Sequence, residues 1–221
     1  MGEEFMENLE VAPQIPKEDI GWLEIGLPKS AMERLWSYIE VAKENPRTYN
    51  DKLVGNLSKS LLLKDEDDWF YQTVLNQLIN NYMEAFPRYM SSAVGIGDIL
   101  SEDAPFCLSS WWVNFQKKNE FNPSHNHAGI FSFVIWVKIP TDWEEQHALP
   151  FSANSNNPCA SDFEFWYMSM WGQLVNSTYR LNKESEGQML LFPAKLMHTV
   201  HPFYNCDKER ISISGNLCLD N

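Results

Sequence analysis

From residue 106 onward the chain is a succession of short runs dense in Trp, Phe, Val, Ile and Tyr: CLSSWWVNFQ, IFSFVIWVKI, DFEFWYMSM, QLVNSTYRL, QMLLFP and RISISGNLCL. Asn, Pro and Gly separate them. β-Branched and aromatic side chains suit a pleated surface, and runs this short between turn formers are too brief for stable helices. Six such strands in succession satisfy their backbone hydrogen bonds as an antiparallel sandwich or barrel. The stretch EEQHALPFSANSNNPCAS, rich in Asn, Ser and Pro, is a long connection on that scaffold, the kind of segment that carries substrate-specific features.

The first half has another period. Ser30 and Glu33 hold capping-box spacing, and Met32, Leu35, Trp36 and Ile39 recur at intervals of three and four, which predicts an amphipathic helix to about Lys43. The acidic cluster Asp65 to Asp68 complements a positive helix N-terminus. Phe70, Val74, Leu78 and Tyr82 then fall every four residues until Pro87 stops a second helix. The segment YNDKLVGNLSKSLLLKDED between them reads as an irregular linker. Residues 1–20, with Pro13 and Pro16 among acidic residues, read as an extended acidic arm. The expectation is a mainly β chain with N-terminal helices: the arm, then a single domain over 21–221, with helical support over about 21–100 and the β core over about 101–221. Its 221 residues suffice for one substantial core.

Seventeen Lys and Arg against 30 Asp and Glu give a net charge of −13, which argues against nucleic acid as a partner, because phosphate-backbone affinity rests on cationic side chains. The acidic N-terminus and the lack of any apolar run near 18 residues predict no membrane partner and a cytoplasmic location. Cys107, Cys159, Cys206 and Cys218 are scattered without a CxxC pair, so buried thiols are expected rather than a zinc site or disulfide framework. Six of the nine tryptophans lie in the β half, where filling a core is their default role and a glycan- or peptide-binding surface the alternative.

Two of the five histidines stand one residue apart in SHNHAG, directly before the most strand-like run. Residues i and i+2 of a strand point the same way, so His125 and His127 can aim both imidazoles at one point. Taken alone, the pair also fits two half-exposed polar residues at a strand edge. The C-terminal stretch EGQMLLFPAKLMHTVHPFYNCDKERISISGN adds His198, 71 residues after His127, and Arg210, 12 residues further, with Ser212 on the same strand face. This pattern resembles the 2-oxoglutarate/Fe(II)-dependent oxygenase superfamily, whose metal motif joins a His-x-Asp/Glu pair to a distal His and a basic residue about a strand beyond. Within it the chain is similar to a branch found in phages and marine bacteria with HnHp…SGvyYl and lFPs.l.H.V.P…R.siSfN segments. Here these read HNHAGIFSFVIWV and LFPAKLMHTVHPFYNCDKERISISGN.

The resemblance covers about residues 111–217 and implies a double-stranded β-helix (jelly-roll, cupin-like) core. It implies an Fe(II)- and 2-oxoglutarate-dependent dioxygenase, a hydroxylase coupling O2-driven decarboxylation of 2-oxoglutarate to succinate with hydroxylation of a small-molecule or peptidyl substrate. His125, His127 and His198 become the catalytic metal ligands. Arg210 becomes the bidentate partner of the co-substrate's distal carboxylate, with Ser212 adding a hydroxyl and Ser132 kept from the branch's pattern beside the pocket; Asn114, two residues after Trp112 on WWVN, is read either as lining that pocket from a neighbouring strand or as packing in the core. Ferrous iron that activates O2 needs a few protein ligands on one face and open positions opposite, which two strands can supply.

The chain also departs from that pattern. His127 occupies the usual carboxylate position, so three neutral imidazoles leave the ion's charge uncompensated and favour an anionic co-substrate; alternatively His127 stands behind a water ligand. Ala128 replaces Pro, Phe133 replaces Gly, Ile135-Trp136 replaces a Tyr pair, and Gly215 replaces Phe. His201 is read as a surface residue or one behind the ligands, His147 as solvated, Trp112 as core. Two other readings use the same residues: a cupin-like three-His metalloenzyme without 2-oxoglutarate, and a non-catalytic jelly-roll binding module. Oligomeric state stays open, with a homodimer through the N-terminal helices as one arrangement.

Overall fold

The computed structural model describes residues 21–87, 89 and 105–220. The arm expected over residues 1–20 lies outside them. The described strands form two antiparallel sheets. The larger has six strands in the order β1 (Leu23–Gly26), β8 (Gln188–Pro193), β5 (Phe131–Lys138), β10 (Arg210–Leu219), β3 (Phe106–Gln116) and β2 (Ser60–Leu62). The smaller runs β4 (Asn122–His125), β9 (Met197–Val200), β6 (Phe163–Met168), β7 (Leu174–Tyr179). From β3 to β10 the chain passes between the sheets, and the result is the double-stranded β-helix expected from the sequence.

Strand alternation divides the larger sheet into two working faces. Trp111, Val113, Phe115, Phe131, Phe133, Ile135, Met189, Leu191, Ile211, Ile213 and Leu217 turn outward and form one core with the N-terminal helices. Val134, Trp136, Leu190 and Phe192 turn inward and meet Phe163 and Phe165 of the smaller sheet. Each large apolar side chain buried this way contributes about 1.5–3 kcal/mol, so both faces are firmly held and the space between the sheets keeps its shape.

All six apolar runs are strands. Four further strands escaped the pattern: β4 (NPSH) and β9 (MHTV) are four residues long with no apolar alternation, β1 is equally short, and β2 lies in the segment read as a linker. That linker is corrected accordingly: Ser60–Leu62 pairs with Asn114–Trp112 of β3, and a 3-10 turn spans Asn50–Lys52.

Helix α1 spans Lys29–Glu44 and buries Ala31, Leu35, Ile39 and Ala42. Its N-cap is Pro28, so Ser30 lies inside the first turn and the expected capping box does not form. The second helical segment begins where the acidic cluster predicts, with the Asp65 carboxylate accepting from the backbone N–H groups of Phe70 and Tyr71 at 2.9 and 3.1 Å. It is not uniform. Tyr71–Leu75 forms a π-helical turn before α2 (Asn76–Ala85). The extra residue in that turn rephases the apolar stripe, so Leu75 is buried instead of Val74, followed by Leu78, Ile79 and Tyr82. Phe70 stacks on Trp111 with ring centroids 5.1 Å apart. Among the described residues no helix is long and apolar enough to cross a membrane.

Two departures noted in the sequence stand opposite one another: Gly215 of β10 is the register partner of Phe133 of β5. A β-carbon at 215 would lie 2.5 Å from Phe133 Cζ and 2.8 Å from Trp111 Cβ. Phe133 therefore fills the space that the glycine leaves open. The four cysteines are free and half-buried, less sheltered than the sequence suggested, with Cys107 and Cys218 opposite one another in the β3–β10 ladder.

Candidate active site

A cavity of about 330 Å³ lies between the sheets, and His125, His127, His198, Asn114, Arg210 and Ser212 all reach it. His125 ends β4 and is the register partner of His198 on β9. His127 lies beyond the end of β4, where its backbone N–H donates to Ala194 O at 2.8 Å. The two histidines of SHNHAG thus converge across a strand end rather than along a regular strand. Donor atoms of the three rings lie within 4.8 Å of one another, and His127 Nε2 is 3.2 Å from His198 Nε2.

Local carbonyls fix two of the tautomers. His125 Nδ1 lies 2.7 Å from Pro123 O, and His198 Nδ1 lies 2.9 Å from Leu196 O. A carbonyl only accepts, so each Nδ1 carries the proton and each Nε2 presents a lone pair. This donor set fits a divalent first-row metal. Two nitrogens ~3 Å apart is also the spacing of neighbouring imidazole ligands placed ~2.1 Å from one ion at a right angle.

Burial keeps these rings neutral. It is the largest cause of the depressed pKa of all three, taking His127 down to about 3 and His198 well below its ordinary value, and repulsion from the neighbouring imidazoles adds to it at His127 and His198. The unfolded chain protonates the same groups below about pH 6.5. The metal-free protein is therefore expected to lose stability as pH falls through 6.5, because the unfolded state binds protons that the fold refuses. Each histidine contributes at most about 1.4 kcal/mol per pH unit. Asp162 acts in the opposite sense: burial raises its pKa to about 7, so its stabilising proton is lost as pH rises toward 7. Three histidines outweigh one carboxylate. A thermal midpoint of the apo protein that is flat or rises between pH 6.5 and 4.5 contradicts this ordering of charges.

Arg210 is 2% exposed. Its Nη2 donates to Ser161 O at 2.8 Å and to Ser161 Oγ, while Nε and Nη1 have no hydrogen-bond partner. Burial lowers its pKa to about 10 and nearby Asp162 opposes that, so it remains cationic at neutral pH. A buried cation with two idle nitrogens on a cavity is suited to an anion. Around it, Ser212 faces the cavity beside its register partner Asn114, whose Oδ1 accepts from Ser60 Oγ at 2.7 Å. Ser132 is placed differently: it is 1% exposed, its hydroxyl donates to Asn216 Oδ1 at 2.8 Å, and Asn216 rather than Ser132 reaches the cavity.

Other histidines stay apart from the cluster. His201 Nε2 lies 2.9 Å from Glu164 Oε2, half-buried behind the wall. His147 is not solvated as expected: its Nε2 lies 3.0 Å from Oδ2 of the fully buried Asp162. Burial pushes Asp162 up and holds His147 down, so their hydrogen bond carries one proton and little net charge. Trp112 is buried as expected and also walls the cavity, stacking on Tyr49 at 5.3 Å. The wall formed by Tyr49 and Lys52–Gly55 was missed because its sequence has no strand or helix period; Asn56 N–H to Phe121 O at 2.8 Å anchors it. Among the described residues no Asp or Glu lines the cavity, and Lys52 and Arg210 are its cationic side chains.

Residues 110–216 match the model of the family described as "Putative 2OG-Fe(II) oxygenase". The fold is similar to a prolyl-4-hydroxylase from Pseudomonas putida, with TM-score 0.52 and 12% identity over 91% of this chain and 94% of that one. It is also similar to a Trichoplax adhaerens prolyl hydroxylase in complex with a hypoxia inducible factor oxygen degradation domain peptide fragment, with TM-score 0.50 and 10% identity over 90% of this chain and 83% of that one. No curated protein matches the chain in sequence. The matched segment, just under half of the chain, carries all three histidines and Arg210, and with this cavity it supports a dioxygenase that uses Fe(II), 2-oxoglutarate and O2.

Proposed function

We propose that His125, His127 and His198 hold the Fe(II), that Arg210 and Ser212 bind the distal carboxylate of 2-oxoglutarate, and that the substrate hydroxylated is a peptidyl residue. The observation that carries the reading is Arg210: a buried cation with Nε and Nη1 unpartnered, on the same cavity as three imidazoles. When bound, the iron activates O2 and couples decarboxylation of 2-oxoglutarate to succinate with hydroxylation of the substrate.

The chain's own residues do the rest. Pro123 O and Leu196 O hold two rings in the tautomer that presents Nε2. Ser60, through Asn114, braces the floor beside Ser212. Trp112, Trp136, Phe163 and Phe192 give the cavity apolar walls, which strengthen the charge interactions beside them. Among the described residues no carboxylate lines the cavity, which favours an anionic co-substrate. A peptidyl substrate is supported by the likeness to two prolyl hydroxylases, and the net charge of −13 supports a substrate other than nucleic acid. The His-x-His form of the motif supports placement in the phage and marine bacterial branch, with the oxygenase machinery in a single domain.

Anaerobic calorimetric titration of 2-oxoglutarate into protein loaded with Mn(II), an oxygen-inert substitute, tests this. We expect saturable binding that requires the metal, followed aerobically with Fe(II) by succinate formation that candidate peptides accelerate. Metal binding without 2-oxoglutarate binding would assign the three histidines to other chemistry.

A further inference from the structure

Ser161 has a backbone φ of 77°, a left-handed conformation that an L-residue other than Asn or Asp rarely adopts. It is fully buried just before β6. A glycine would make the same turn without strain, so the serine side chain needs another reason to be there. The contacts supply one. Both oxygens of Ser161 accept from Arg210 Nη2, its N–H donates to Pro202 O at 2.9 Å, and its Oγ lies 3.2 Å from Thr141 Oγ1. Phe203 covers the guanidinium face, 5.2 Å from the ring centroid. Asp162 lies nearby but makes no hydrogen bond to Arg210, so it does not consume Nε or Nη1.

We propose that Ser161 is a positioning residue for co-substrate binding: it saturates one nitrogen of Arg210 and thereby fixes the plane in which the other two meet the carboxylate of 2-oxoglutarate. The proposal rests on the reading of Arg210 given above. A long side chain anchored at one end has few orientations left, so the ligand pays little to order it. Without the Ser161 hydroxyl, the guanidinium keeps the carbonyl contact but gains freedom to rotate about it. Selectivity then suffers along with affinity, because a mobile donor accepts a carboxylate placed one carbon further out.

The test compares wild type, Ser161→Ala and Ser161→Gly as full-length protein loaded with Mn(II) under anaerobic conditions. Calorimetry follows Mn(II), 2-oxoglutarate and its longer homologue 2-oxoadipate, and a thermal midpoint is taken for each protein. Both variants are expected to bind Mn(II) as wild type does and to bind 2-oxoglutarate about tenfold more weakly, the effect of losing one hydrogen bond to a charged group. The preference for 2-oxoglutarate over 2-oxoadipate is expected to narrow in both. Glycine adopts the required φ freely, so Ser161→Gly answers the question even if the alanine variant does not fold. Unchanged 2-oxoglutarate affinity and unchanged preference would overturn the proposal and leave Ser161 a packing residue. Wild-type protein that takes Mn(II) but not 2-oxoglutarate would overturn the reading of Arg210 as well.

Discussion

Arg210→Ala is expected to weaken 2-oxoglutarate binding by at least about a hundredfold while Mn(II) still binds, since charge-assisted hydrogen bonds in a buried site contribute about 1.5–3 kcal/mol each and two donors are lost. The histidine cluster lies on other strands and shares only the cavity with Arg210, so its metal affinity is insulated from the change. The variant also leaves Asp162 buried without its neighbouring cation, but a carboxyl whose pKa burial has already raised to about 7 can take up a proton, which limits the damage to folding. Arg210→Lys should fall between the two proteins: it keeps the charge but has neither the planar array of donors nor the reach to satisfy Ser161 and a ligand together. Calorimetry gives the affinities and a thermal melt the control. An alanine variant that binds 2-oxoglutarate within about threefold of wild type, short of the loss of even one charge-assisted hydrogen bond, would remove Arg210 from the site.

The second large effect concerns the fold. Gly215→Phe should prevent folding, because even a β-carbon there meets the Phe133 ring at 2.5 Å, and that ring is held from behind by Phe70 at 5.6 Å between centroids. Phe133→Gly should fold with a loss of about 3–5 kcal/mol or more, the cost of emptying a buried aromatic site plus a glycine in a central strand. The double variant conserves the summed volume across one rung of the ladder and should recover most of the loss, giving a strongly favourable coupling energy in a denaturant-unfolding cycle. Additive losses would show that the two positions do not exchange volume.

Those two residues illustrate what the sequence makes legible. Each departs from the family pattern in a separate segment, and only the strand register shows that they face one another. The long apolar strands were readable because burial on both faces of the larger sheet demands near-continuous apolar residues, as in IFSFVIWVKI. The short strands that present His125 and His198 were not, because a four-residue polar strand whose side chains serve a site has no hydrophobic period to detect. The three histidines that converge on the cavity were legible through chemistry and spacing instead. Ser161 left no trace in the sequence: its role depends on a backbone angle, and serine in an Asn- and Ser-rich connection looks like any loop residue. The π-helical turn was hidden likewise, since Val74 and Leu75 are both apolar and either could continue the stripe.

The two outermost strands of the larger sheet, β1 and β2, both come from the N-terminal half, ahead of the segment that matches the family model. They occupy the hydrogen-bonding rims of β8 and β3, whose sequences QMLLFP and FCLSSWWVNFQ are among the most apolar in the chain. Left bare, such rims offer rows of unpaired N–H and C=O groups on which a second molecule can template, the first step toward insoluble assemblies. Those rims are covered by seven residues in two short strands, Leu23–Gly26 and Ser60–Leu62, so substitutions that break this pairing are expected to promote aggregation before they disturb the site.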